Sequence, residues 1–117
     1  MKYTQFSTLA LNSNLIKSTL SLGYDKLTSI QAETLPEILK GYDVIGQGVT
    51  GSGKTAAFSL GILNKLDAAK FKIQALVLCP TRELADQVAG EIRKLGCMIH
   101  NVKVLTLCGG SAFGPQK

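Results

Sequence analysis

Apolar positions recur along the chain first at helical spacing and then at strand spacing. Between Leu11 and Leu22, Leu15, Ile16, Thr19, Leu20 and Leu22 fall near helical spacing, with Asn12 or Ser13 as the N-cap. Gly23-Tyr24 ends that helix. Thr28 and Gln31 have the Thr-x-x-Gln spacing of a capping box. A second helix is predicted from there toward Leu39, with Ile30, Leu35, Ile38 and Leu39 apolar, Pro36 as a kink point and Gly41 as the terminator.

The pattern then changes. Asp43 to Gln47 reads as a short buried strand, and a glycine-rich turn follows from Gly48 to Gly53. Lys54 to Leu66 is predicted helical, with Ala56, Ala57, Leu60, Leu63 and Leu66 apolar. Ala75 to Cys79 is a continuous apolar run, the pattern of a strand buried on both faces, and Pro80 closes it. Glu83 to Leu95 carries Leu84, Val88, Ile92 and Leu95 on one helical stripe. Val102 to Cys108 is a third strand candidate, ended by Gly109-Gly110. Strand, helix, strand, helix, strand predicts an α/β fold, a parallel sheet flanked by helices, with two further helices at the N-terminus. Three strands are few for this class, so the chain is expected to be an incomplete part of a larger unit.

Composition narrows the function classes. The chain has 117 residues, 45% hydrophobic and 18% charged, which suits one small globular domain or a piece of one. No apolar run approaches the ~20 residues of a membrane span. Met1 to Gln5 leads into no signal-peptide stretch, so a cytoplasmic protein with no membrane partner is expected. Cys79, Cys97 and Cys108 form no C-x-x-C pair, which predicts reduced thiols, no disulfide partner and no zinc site. His100 is a lone histidine and cannot build a metal site by itself. The net charge of +5 leans weakly toward a polyanionic partner, although the basic residues are scattered and Arg93-Lys94 is the longest run.

The strongest chemical signal is Gly48-Val49-Thr50-Gly51-Ser52-Gly53-Lys54-Thr55, which matches G-x-x-x-x-G-K-[ST] in full, between a predicted strand and a predicted helix. The glycines let the backbone turn tightly and aim its N–H groups inward as an anion nest. The positive end of the following helix points to the same place. Lys54 supplies a point charge for β- and γ-phosphates, and the Thr55 hydroxyl is a ligand for Mg²⁺. The bland alternative is a glycine-rich strand–helix turn with no ligand.

A phosphate cradle does not choose a base. The Gln31 amide can donate to one adenine edge atom and accept from its neighbour. Phe6, 17 residues before Gly23, could stack on the same ring. Taken alone, Gln31 reads as a helix cap and Phe6 as a core ring. With the P-loop downstream, adenine recognition becomes the better reading. Pro80-Thr81-Arg82-Glu83-Leu84-Ala85 and Cys108-Gly109-Gly110 lie at the carboxyl ends of the second and third predicted strands, where ligands sit in open α/β sheets. Bare glycine N–H groups, Arg82 and a helix N-terminus there suit phosphodiester oxygens. Alone, Arg82 and Glu83 also read as a surface ion pair, and Gly109-Gly110 as a turn.

Phe6, Gly23-Tyr24, Ile30-Gln31, Thr50-Gly51-Ser52-Gly53-Lys54-Thr55, Pro80-Thr81-Arg82-Glu83-Leu84-Ala85 and Gly109-Gly110, in that order, resemble the DEAD-box ATP-dependent RNA helicases. Within that family, Ala75 to Gly90 followed by Leu105 to Gly110 looks most like a bacterial member associated with ribosomal RNA and large-subunit assembly. The resemblance implies a RecA-like P-loop fold, with 1–42 as an adenine-recognition segment and 43–117 as the first part of helicase domain 1. It implies ATP and Mg²⁺ as cofactors. Phe6 would stack on adenine, and Gln31 with the backbone around Tyr24 would read it. Thr50, Gly51, Ser52, Gly53, Lys54 and Thr55 would hold the phosphates, Lys54 and Thr55 also serving catalysis and Thr55 the metal. Pro80, Thr81, Arg82, Glu83, Gly109 and Gly110 would form the RNA contact, made to the backbone and therefore independent of base sequence.

Departures bear on this. The family usually has proline where Leu27 stands and commonly where Ser29 stands, so the loop before Gln31 is expected to be looser. It usually has alanine where Gly48 stands, a change of little consequence. The chain has no D-E-A-D segment for Mg²⁺ and water, no S-A-T motif and no second domain, all of which phosphoryl transfer in the family uses. Nucleotide binding without efficient hydrolysis is therefore expected of this chain. The P-loop strand of related folds also pairs with a later strand, so an open edge and self-association are expected. Two other classes stay in view: a non-catalytic nucleotide- or RNA-binding module, and a different P-loop NTPase or kinase.

Overall fold

The computed structural model describes residues 5, 9–24, 26–48, 53–67, 69–70, 72–99 and 102–107. Four helices organise them: α1 (Ser13–Ser21), α2 (Ser29–Leu39), α3 (Lys54–Lys65) and α4 (Arg82–Leu95). Each of three begins at a side-chain cap. Asn12 Oδ1 accepts from the Leu15 N–H at 3.0 Å, and Thr81 Oγ1 from Leu84 at 3.1 Å. At α2 the capping box is complete: Thr28 Oγ1 accepts from the Gln31 N–H, and Gln31 Oε1 accepts from the Thr28 N–H at 2.9 Å. These bonds satisfy helix-end donors that have no intrahelical partner. Gly23, with φ +80°, and Gly41, with φ +94°, take the left-handed turns that follow α1 and α2. Pro36 lies inside α2 without ending it.

The core lies among these helices. Leu15 of α1, Leu35 of α2, Leu60 and Leu63 of α3, and Val88, Ile92 and Leu95 of α4 are buried together, joined by Leu9 and Leu11. The stripe expected on α4 is met at Val88, Ile92 and Leu95, whereas Leu84, in its first turn, is partly exposed. Leu20 likewise falls outside the buried side of α1. Ser18 and Thr19 can be buried because their hydroxyls bond back to the carbonyls of Asn14 and Ile16. At Gly61, a side chain would run into Ile38 of α2, so the α2–α3 contact requires a glycine there. Asn64 Oδ1, at the end of α3, accepts from the Asn12 N–H at 2.8 Å and ties α1 to α3.

Two of the three segments predicted as strands pack on one side only. Val77, Cys79, Val102 and Val104 lie against the helical core. Their sequence neighbours Leu76, Leu78, Leu105 and Leu107 are 80%, 86%, 67% and 74% exposed. The run 75–79 is therefore not buried on both faces. The 43–47 segment, expected to be buried, is exposed throughout its length, with Ile45 at 94%. Among the described residues no β-ladder joins these segments, and the one bridge pairs Gln5 with Lys26 in antiparallel sense. The Arg93 guanidinium donates to the Val104 carbonyl at 2.9 Å and fastens the last segment to α4.

Candidate nucleotide site at the start of α3

Gln31 and Gly53 meet at the N-terminus of α3, whose first residue is Lys54. Gly53 is the N-cap of that helix and has φ +91°, a left-handed conformation that only glycine adopts without strain. Its carbonyl accepts the first intrahelical bond, from the Ala57 N–H at 3.1 Å, and a second bond from Gln31 Nε2, also at 3.1 Å. Gln31 is buried, with 5% exposure. A Cβ at Gly53 would stand 2.5 Å from Gln31 Nε2 and 2.8 Å from Thr28 Oγ1. Thr28, Gln31 and Gly53 thus form one close contact between the α2 N-terminus and the P-loop's last glycine.

The cap and base-reader roles of Gln31 are compatible. Its oxygen uses one lone pair on the Thr28 N–H, and its nitrogen uses one hydrogen on Gly53. An amide has a second lone pair and a second hydrogen, the pair an adenine edge requires. The capping box also forms without proline at Leu27 or Ser29. Leu27 is half-buried against the core, which fixes the loop by packing instead.

Lys54, the first residue of α3, donates its ammonium to the Gly48 carbonyl in a short hydrogen bond. The ammonium is thereby held by a neutral acceptor that a phosphate oxygen could replace. Thr55 follows in the first turn, half-buried. Its hydroxyl is a hard oxygen donor next to Lys54 and at the positive helix end, which fits a Mg²⁺ that keeps most of its waters. Beside Lys54 opens a cavity of about 450 Å³ between α2, α3 and the 42–46 segment, lined by Ile30, Thr34, Tyr42, Asp43 and Phe58 among others.

The other predicted residues divide. Tyr24 is half-buried at the α1–α2 connection, its N–H bonded to the Thr19 carbonyl at 2.8 Å. Its hydroxyl turns to α4, where it donates to Glu91 Oε1 at 2.8 Å. That hydrogen bond, then burial, then the carboxylate charge raise the Tyr24 pKa above its ordinary value. Pro80, Thr81, Arg82 and Glu83 are exposed at the start of α4, a second helix N-terminus separate from that of α3. Phe6, Thr50, Gly51, Ser52, Gly109 and Gly110 lie outside the described residues, as do Cys108 and His100. Cys79 and Cys97 are free thiols, and the described residues hold no cluster of three metal-ligating side chains. No described helix is long and apolar enough to cross a membrane.

Sequence reasoning missed Glu91 and the Gly48 carbonyl. Glu91 belongs to no spaced motif, and Gly48 enters its motif as a glycine and not as an acceptor for Lys54; both act through contacts that only the folded chain makes.

Residues 28–117 match the sequence profile of the DEAD/DEAH box helicases. The chain belongs to that family. It is 57% identical over 115 residues to the ATP-dependent RNA helicase DbpA of Escherichia coli K12, a match covering 97% of this chain and 25% of the relative. It is 46% identical over 113 residues to the DEAD-box ATP-dependent RNA helicase CshA of Bacillus cereus, covering 97% of this chain and 21% of that one. A crystal structure of a DEAD box protein from the hyperthermophile Methanococcus jannaschii superposes with a TM-score of 0.85 at 37% identity, over 99% of this chain and 32% of the other. The fold class is accordingly the RecA-like α/β fold of these helicases. The chain spans about a quarter of the length of the curated relatives it matches.

Proposed function

We propose that this chain is the ATP-binding part of an ATP-dependent RNA helicase that separates RNA duplexes locally. The observation that carries the reading is the contact of Gln31 with Gly53, directly beside Lys54 at the N-terminus of α3. An adenine-reading amide and a phosphate-binding helix end converge there. Relatives with 57% and 46% identity that carry the name ATP-dependent RNA helicase support the activity.

In this reading residues 1–42 form the adenine-recognition segment and 43–117 the first part of helicase domain 1. Gln31, the backbone at Tyr24, and Phe6 hold the base. Thr50 to Thr55 hold the phosphates, with Lys54 on the β- and γ-phosphates and Thr55 on Mg²⁺. The Lys54 ammonium leaves the Gly48 carbonyl for phosphate when nucleotide enters. Pro80, Thr81, Arg82 and Glu83 at the exposed start of α4, with Gly109 and Gly110, contact the RNA backbone without reading bases. The RNA is ribosomal and the compartment cytoplasmic, by likeness to the bacterial members of the family.

Titration of the 117-residue chain with fluorescent ADP and Mg²⁺, competed by ATP and by GTP, tests the site. Saturable binding displaced by ATP and not by GTP, and weakened by Lys54→Ala chiefly for triphosphate, is expected. Displacement by GTP as readily as by ATP would transfer the chain to another class of P-loop protein. The absence of a D-E-A-D segment favours a second statement, that this chain binds nucleotide without turning it over efficiently. Steady phosphate release that disappears in Lys54→Ala would refute it.

A further inference from the structure

We propose that Glu91 is a positioning residue for the adenine nucleotide, acting through Tyr24; the inference rests on the nucleotide reading of the α3 N-terminus. The α1–α2 connection must deliver Gln31 to Gly53, and it leaves α1 through the left-handed Gly23. Backbone bonds to α1 hold its first residues: Gly23 N–H to Leu20 and Tyr24 N–H to Thr19. These fix the connection to α1 alone. Tyr24 Oη to Glu91 Oε1, at 2.8 Å and across 67 residues of sequence, adds an anchor on α4.

Glu91 is well placed for this. It is half-buried on α4, next to the buried Ile92 and one turn from the buried Val88 and Leu95. Its backbone therefore cannot shift without disturbing the core. The carboxylate of Glu91 accepts from the Tyr24 hydroxyl. Hydrogen bonds to a charged acceptor are short and comparatively strong. The Tyr24 ring itself packs on the core, so the hydroxyl adds direction to a contact already apolar. The same helix begins with Thr81 and Arg82, so the anchor also joins the adenine loop to the element bearing the proposed RNA contact.

The test compares ADP affinity with pyrophosphate affinity in Glu91→Ala, Glu91→Gln, Tyr24→Phe and the Glu91→Ala/Tyr24→Phe pair. Glu91→Ala and Tyr24→Phe are each expected to weaken fluorescent ADP by about fivefold, the equivalent of one hydrogen bond. The pair should lose no more than either alone. Glu91→Gln keeps an acceptor oxygen and should stay near the parent. Pyrophosphate competition should not change in the Glu91 variants, because it needs only the α3 N-terminus. Equal loss of ADP and pyrophosphate, additive losses, or unchanged ADP affinity in Glu91→Ala would each overturn the proposal. A parent chain that binds pyrophosphate but shows no preference for ADP would instead remove the nucleotide reading, and the proposal with it.

Discussion

Gln31 Nε2 donates to the carbonyl of Gly53 at 3.1 Å, so the residue that completes the capping box of α2 also touches the N-cap of α3. Two substitutions separate these duties. Gln31→Ala removes both hydrogen bonds and should cost about 1–2 kcal/mol of stability, the usual net worth of one or two such bonds. Gln31→Glu keeps an oxygen for the Thr28 N–H but sets a carboxylate against the Gly53 carbonyl, where a donor is needed. The expected outcome is that Gln31→Glu retains more thermal stability than Gln31→Ala and loses at least as much ADP affinity. Paired melting curves and ADP titrations decide this. ADP affinity that tracked stability across both variants would reduce Gln31 to a helix cap.

Gly53 is constrained twice over. Its φ of +91° disfavours any side chain, and a Cβ would stand 2.5 Å from Gln31 Nε2. Backbone strain of this kind is worth about 1–2 kcal/mol before any clash is counted. Gly53→Ala should therefore lower the melting temperature by roughly 4–16 °C, at about 4–8 °C per kcal/mol for a domain of about 100 residues. It should also displace Gln31 and abolish detectable ADP binding. Gly90, around which a Cβ meets nothing within 4 Å, provides the control. Gly90→Ala should leave melting unchanged or slightly raised, since alanine favours a helix interior.

Tyr24 makes stability depend on pH in the alkaline range. Its pKa is raised in the folded chain, chiefly by the hydrogen bond to Glu91, then by burial. The neutral phenol is thus the favoured native form. A raised pKa contributes stability that is fully present below the unfolded tyrosine pKa of about 10 and is lost as pH rises through the higher folded value. The difference in melting temperature between the parent and Tyr24→Phe should be constant at neutral pH. It should shrink once pH passes about 10. A difference that did not change there would mean that the phenol contributes no linkage. All other groups are common to both proteins and cancel in the comparison.

Much of the helical layer was legible before any fold was known. Asn12 and Thr28 with Gln31 announce two helix starts, because a cap is a local hydrogen bond encoded by local spacing, whereas the cap at Thr81 emerges only in the folded chain. Val88, Ile92 and Leu95 announce the buried side of α4 for the same reason. The P-loop was legible as a spaced motif. The partner of Gln31 was not, nor was that of Tyr24. Gly53 is 22 residues from Gln31 and Glu91 is 67 from Tyr24, distances at which no periodicity carries information. The apolar run from Ala75 to Cys79 was legible as a run but not in its partners. A run without polar alternation implies partners on both faces, yet only Val77 and Cys79 meet the helices.

The opposite side of those segments carries the last prediction. Leu76, Leu78, Leu105 and Leu107 stand largely in solvent, on segments whose alternate residues are held against the helical core. Apolar surface in water costs roughly 25 cal/mol per Å², and contiguous patches of it drive association. The 117-residue chain should therefore bind a hydrophobic dye strongly and sediment with a concentration-dependent mass. Leu78→Lys combined with Leu107→Lys should reduce both signals while leaving helix content intact, because neither side chain belongs to the core. Leu60→Ala should do the reverse: it empties a fully buried position, which typically costs about 2–5 kcal/mol, and so should raise dye binding as helix is lost. If the double lysine variant lost helix as Leu60→Ala does, Leu78 and Leu107 would be supporting the helical layer, and the one-sided packing would be refuted.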